Sequence, residues 1–240
     1  MIDPIERALT YPYAGHPGSY LYRDGKAHPY RPPSAMPERR IPVIGYGSNR
    51  APAQLARKYP EPGQQIPVEA AWLDGFDVVY SARIGGYCAI PATVAPCPGC
   101  CLPVVLTWLS LDQLPAMHAS EGAGVAYDFG VLETPVIGEH SGRLPRAFIY
   151  VNRTGAYAPE GEPVAFAEIA SEGRRWRAAG QLEVQTALAA LLQAGATAEA
   201  FVAANLADRD QRLARSRRMA ETAVPWHHPA FRPLSSEDKL

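Results

Sequence analysis

The sequence predicts an α+β fold with a strongly curved or barrel-like sheet, and three observations carry that expectation. Short apolar runs rich in β-branched and aromatic residues alternate with Gly and Pro turns from residue 41 to about residue 156. Two short helix-like segments, APAQLARKY and SLDQLPAMHASEG, interrupt those runs. No proline occurs from Val164 to Val224, where alanine is abundant and apolar residues recur at helical spacing.

Residues 1–40 hold seven of the 24 prolines and five of the twelve tyrosines, with histidines at 16 and 28. Proline fixes φ and removes a donor, so this arm is expected to be irregular or extended. Its tyrosines imply that it packs on the domain or reaches a second subunit. IPVIGY reads as a strand. APAQLARKY then fits a short helix, with Ser48 or Asn49 as cap and Pro52 in its first turn. FDVVYSA, CAIPATV, LPVVLTWL, FGVLETPVI and RAFIYVN are strand candidates, and SLDQLPAMHASEG is a helix capped by Ser110. Farther on, Val184, Leu188, Leu191 and Leu192 mark one helix, and Phe201, Val202, Asn205 and Leu206 a second. Gly195 separates them and Thr197 can cap the second. The expected organisation is an arm (1–40), a core (41–156) and a mainly helical extension packed on it (157–240).

A chain of 240 residues suits one sizeable domain with appendages, and 47% hydrophobic residues suffice for a core. A formal charge of −1 and a pI near 6.6 give no global reason for nucleic-acid or membrane binding. No run of 18 apolar residues exists, and MIDPIERALTYPY is too acidic and proline-bearing for a signal peptide. A cytoplasmic protein without nucleic-acid or membrane partners is expected.

Two features bear on chemistry. The first is Gly45-Tyr46-Gly47-Ser48-Asn49, a tight turn between strand and helix. It lacks the spacing of a dinucleotide fingerprint or a P-loop. Such a turn is most simply a connection, but it can also direct free N–H groups outward to hold an anion. The second is Glu121-Gly122 at the end of a short helix, with Tyr127 following. A glutamate there is commonly solvated; a glycine-rich turn leading into an apolar strand is also a place to part-bury one.

With ATVAPCPG (92–99) and LDGF (73–76) added, the chain resembles the γ-glutamylcyclotransferase family. The shared elements are YGSN after the first strand, LDGF, AT…PG, an apolar strand, and a helix ending in Glu-Gly with a downstream Tyr. The resemblance covers about residues 40–156. It implies a small mixed β-barrel with flanking helices, Glu121 as general acid/base, and Tyr46, Gly47, Ser48, Asn49 and Tyr127 around the substrate. The implied substrate is a small γ-glutamyl amide, converted to 5-oxoproline with release of an amine or amino acid. The sequence departs from the family where a Tyr often precedes the next helix: APEGEPVAF has none, although Tyr157 is near. LPVVL carries Pro103-Val104 where a small residue is usual. A non-catalytic binding or scaffold protein on the same fold is the alternative.

That chemistry asks for no metal or organic cofactor. One carboxylate can take a proton from the α-amine and deliver one to the leaving amine, worth roughly 10²–10⁴-fold. Holding amine and γ-carbonyl in ring-closing geometry draws on effective molarities of about 10⁵–10⁸ M. Backbone N–H groups of the turn can bind the substrate carboxylate or an oxyanion.

The four cysteines, at 88, 97, 100 and 101, are too clustered for a disulfide framework. Cys97 and Cys100 have CxxC spacing, compatible with a zinc site completed by Cys88 or Cys101, a redox pair, or idle thiols. WHHP (226–229) reads as surface or as two further ligands. Residues 208–221 hold five arginines against three acids, a solvated helix face or a surface for an acidic partner or RNA. The arm and the C-terminal helices are the candidate surfaces for homo-oligomerisation.

Overall fold

The computed structural model describes residues 3–30, 39–235 and 238, and in it the arm carries regular structure. Pro4–Leu9 form helix α1, started by the Asp3 side chain, which accepts from the Ile5 N–H at 3.3 Å. Tyr20–Arg23 (β1) and Lys26–Pro29 (β2) form a hairpin around Asp24 (φ 49°) and Gly25 (φ 77°). An Asp-Gly pair in the left-handed region is the preferred two-residue hairpin turn. The helix over Pro4–Leu9 departs from the expected irregular or extended arm, while the hairpin strands are extended chain; residues 31–38 lie outside the described ones.

Arg40–Gly45 form β3, and after a 3-10 turn over Ser48–Arg50 helix α2 spans Pro52–Lys58. Neither Ser48 nor Asn49 caps it: Ala51 stands at the N-cap without a side-chain bond, because both polar residues fall in the 3-10 turn before it. Next come β4 (Gln65–Tyr80), β5 (Ala92–Ser110) and helix α3 (Leu114–Glu121). Gln113, not Ser110, stands at the start of α3, since Ser110 still belongs to β5. They are followed by β6 (Tyr127–Leu132), β7 (Val136–Gly138), β8 (Gly142–Leu144) and β9 (Ala147–Asn152). The chain ends with β10 (Ala165–Phe166), β11 (Ala178–Ala179), helices α4 (Gln181–Leu192), α5 (Ala198–Ala207) and α6 (Arg209–Ala220), and β12 (Phe231–Pro233). Thr197 caps α5 as its position predicts, accepting from the Ala200 N–H at 3.2 Å.

The strands build one mixed sheet in the order β11-β10-β4-β5-β3-β9-β6-β12, with β1 and β7 also paired to β4. The β3–β9 pair is parallel and β3–β5 antiparallel. The expected barrel is not formed: the end strands β11 and β12 do not pair with each other, so the sheet stays open. Closure needs matching ladders at both edges, and here those edges are strands of two and three residues.

CAIPATV and LPVVLTWL, read as two strands, contribute to the single long β5. Asp74 pairs with Cys101 and Phe76 with Pro96, so Cys97–Cys100 bulge out opposite Gly75. Cys97 and Cys100 are joined by a disulfide across this bulge, so of the alternatives for their CxxC spacing they are a bonded pair and not idle thiols. Closing so short a loop stabilises by about 2 kcal/mol at most. Replacing both with Ser is therefore expected to leave the fold and ligand binding intact and to lower the melting temperature only slightly. Unfolding of that variant at room temperature would contradict this.

The C-terminal helices join the same apolar core as the sheet. Leu188, Phe201 and Phe166 pack with Ile44, Phe76, Tyr80, Leu102, Leu106 and Ile149. A polar clamp adds to this junction. Asp77, fully buried in β4, accepts from Arg174 at 2.8 and 2.9 Å and from Ser171 at 2.5 Å. In α6, Arg215 is buried and donates to Asn205 (2.7 Å) and Gln193 (2.6 Å), and Arg212 donates to the Asn205 carbonyl (2.9 Å). Two of the five arginines there are thus internal staples, while Arg209, Arg217 and Arg218 face solvent.

Candidate functional site

Three elements converge above the C-terminal end of β3. The strand delivers Ile44, Tyr46 and the turn Gly47-Ser48-Asn49; α3 ends by presenting Glu121; β5 begins with Ala92. Together with Tyr127, Tyr150 and Tyr11 they line one cavity of about 30 Å³. All six residues expected from the sequence, Tyr46, Gly47, Ser48, Asn49, Glu121 and Tyr127, lie in this lining.

Glu121 sits at the last turn of α3 because Gly122 can take the left-handed conformation (φ 60°) that ends the helix. Its side chain is 16% exposed. Asn49 Nδ2 donates to Glu121 Oε1 at 2.9 Å across 72 residues of sequence. Lys58 Nζ, at the end of α2 and 3% exposed, forms an ion pair with the same oxygen. Among the described residues Oε2 takes no hydrogen bond, so one oxygen is held and the other is available to a ligand proton. Asn49 Oδ1 is also buried without a partner, an acceptor at the cavity wall.

The tyrosines form the walls. Tyr46 Oη donates to the Tyr150 carbonyl at 2.5 Å, and Tyr127 Oη to the Ala92 carbonyl at 3.1 Å. The Ala92 N–H in turn donates to Tyr11 Oη at 3.0 Å, and Ser48 lies beside the same phenol. Burial raises the hydroxyl pKa of Tyr11, Tyr46, Tyr127 and Tyr150 above the ordinary phenol value, with the neighbouring Glu121 carboxylate adding to the effect. All four are neutral phenols near neutral pH.

Gly47 has φ −113°, outside the left-handed region, and the space around it is filled. A Cβ there would lie 2.8 Å from Tyr11 Oη and 3.0 Å from Ala92 Cβ.

One turn before Glu121, His118 Nδ1 lies 2.7 Å from Tyr150 Oη, and the neutral ring can accept the phenol proton there. Burial lowers the His118 pKa below the ordinary histidine value. The unfolded chain then takes up this proton first as pH falls below about 6.5, so stability drops on the acid side. Thermal melts from about pH 7 to pH 5 should show a steeper loss in the wild type than in His118→Gln. Equal losses would show that the ring does not contribute.

Tyr11, Tyr150, Ala92 and Lys58 were not anticipated. Only the tyrosine-rich arm signalled Tyr11; Lys58 looks like any basic residue in a last helical turn. Tyr157 is buried with its N–H on the Tyr80 carbonyl (2.7 Å) and does not line the cavity. No group of three or more His, Cys, Asp or Glu side chains able to hold a metal ion occurs among the described residues, and no helix of those residues is long and apolar enough to cross a membrane.

No family model matches the chain, and no curated protein matches it significantly. Among solved structures, the chain is similar to an Arabidopsis thaliana protein at 18% identity and a TM-score of 0.37, over 49% of this chain and 71% of that one. An uncharacterized Homo sapiens protein gives 19% identity and a TM-score of 0.36, over 48% and 68% of the two chains. A γ-glutamyl cyclotransferase gives 12% identity and a TM-score of 0.39, over 83% and 95%.

Proposed function

We propose that the chain is a γ-glutamylcyclotransferase-type enzyme that converts a γ-glutamyl amide to 5-oxoproline and a free amine, with Glu121 as acid/base. The observation that carries this reading is the Asn49–Glu121 hydrogen bond, which joins the glycine turn and the helix-end carboxylate in one tyrosine-walled cavity. In the reaction Glu121 accepts a proton from the substrate's α-ammonium. The freed nitrogen attacks the γ-carbonyl carbon, forming the ring bond. As the tetrahedral centre collapses, the bond to the leaving nitrogen breaks and Glu121 returns the proton to that nitrogen. A second proton leaves the ring nitrogen, so the amine departs as its ammonium ion. In this reading N–H groups of Ser48 and Ala92 hold the substrate carboxylate or the oxyanion in place of Tyr11 Oη. Asn49 Oδ1 supplies an acceptor for the α-amine. No step calls on a metal or organic cofactor.

The second reading, a ligand-binding protein without catalysis, is favoured by the Lys58 ion pair on Glu121 and by the small free volume. A panel of γ-glutamyl dipeptides, γ-glutamyl amines and glutathione, assayed for 5-oxoproline release, separates the two. Release above the uncatalysed rate supports the enzyme; binding of panel members with no release from any supports the alternative.

A further inference from the structure

The N-terminal arm ends its helix directly over the cavity, and what it inserts there is a phenol. Tyr11 is 4% exposed and its ring lies beside Tyr13, Tyr87 and Phe166, with centroids 5.7, 6.1 and 5.8 Å away. Its oxygen accepts from the Ala92 N–H at 3.0 Å, and Ser48 lines the cavity beside it. That N–H is a donor that an anionic ligand oxygen would use. The space left over is small, about 30 Å³.

We propose that the arm is an autoinhibitory strap: Tyr11 acts as an internal pseudo-ligand in the anion cradle of Ser48 and Ala92, and a carboxylate-bearing ligand enters only when the arm swings out. This rests on the cavity being the ligand site, as in the proposed function. The fastenings suit a reversible closure. α1 packs on α4 and α5 with Ala8 fully buried, so the extension provides the bed on which the arm lies. Beyond that bed the contacts are peripheral. The Arg7 guanidinium lies 4.8 Å from the Tyr87 ring centroid and its Nε donates to Tyr13 Oη at 3.4 Å. Arg57 lies 5.1 Å from the Tyr13 ring, and the His16 N–H reaches the Arg50 carbonyl at 3.3 Å. Tyr13 itself sits at φ 69°, the left-handed region that a tyrosine adopts only under constraint. Opening relieves that constraint.

A ligand that binds only the open form has its apparent Kd raised by the reciprocal of the open fraction. The test is calorimetric titration with 5-oxoproline of the full-length wild type, Tyr11→Ala and Arg7→Ala. Tyr11→Ala should bind at least about tenfold tighter than wild type, corresponding to a strap closed nine-tenths of the time. Arg7→Ala should bind severalfold tighter while leaving every cavity wall unchanged, which separates release of the arm from mere creation of space. It also decides the matter alone if Tyr11→Ala does not fold. Amide hydrogen exchange at Ser48 and Ala92, measured without ligand, should be faster in Arg7→Ala. Unchanged affinity together with unchanged exchange would overturn the strap. Faster exchange without any binding of 5-oxoproline would keep the strap and remove the proposed ligand class instead. Absence of 5-oxoproline release from γ-glutamyl substrates, with the affinity order intact, would remove only the catalytic reading.

Discussion

Exchanging Glu121 for Gln should lower kcat for γ-glutamyl cyclisation by about 10²–10⁴-fold while KM changes little. Glutamine keeps the size and an acceptor oxygen for Asn49, but it cannot carry a proton. The structure adds a second consequence. Lys58 Nζ, with its side chain 3% exposed, loses its counter-charge, and breaking a buried pair from one side costs of the order of 3 kcal/mol. The variant should therefore melt several degrees lower than the wild type. Glu121→Gln combined with Lys58→Met should recover much of that stability and none of the turnover, because an uncharged pair of similar volume leaves no stranded cation. Steady-state kinetics with thermal melts on the three proteins checks both effects. Full turnover in Glu121→Gln would end the acid/base assignment.

The largest expected loss of stability elsewhere lies at the junction of sheet and extension. Arg174→Met should destabilise by about 3–5 kcal/mol, since it leaves the Asp77 carboxylate buried and short of its cation. Arg174 also donates to the carbonyls of Phe166 (2.9 Å) and Ile169 (2.6 Å), so the same change strands the Ile169 acceptor and leaves Phe166 only its 3.4 Å bond from the Ile169 N–H. For a chain of this size the shift corresponds to roughly 10 °C or more in melting temperature. Denaturant melts would measure it. Asp77→Asn with Arg174→Met should cost less than Arg174→Met alone, and a loss within error of zero for Arg174→Met would contradict the clamp.

How much of this was legible in the sequence depended on whether the signal was local. The helix that presents Glu121 and the strand that ends in the glycine turn follow from short-range periodicity and turn chemistry. Their order and spacing, with the AT…PG segment, also carried the family resemblance and its expected site residues. The pairing that joins β4 to β5 across the Gly75 bulge is long-range, so half of β4 was missed and β5 was read in pieces. The barrel expectation failed at edges only two and three residues long, which no periodicity could reveal. Lys58 was invisible for the same reason: its partner is 63 positions away. Tyr11 had a compositional warning, since tyrosines crowded into a proline-rich arm need somewhere to bury their rings. Which cavity received one was decided by α4 and α5, on which α1 lies.

The central claim is that Glu121 and the glycine turn form one ligand site. Backbone amide shifts recorded by NMR during a titration with 5-oxoproline, using Tyr11→Ala so that the cradle is open, test it most directly. The account predicts that the largest shifts fall together on Gly47, Ser48, Asn49, Ala92 and Gly122, with one common binding curve. Shifts confined to other surfaces, with these five amides unmoved at saturation, would contradict it.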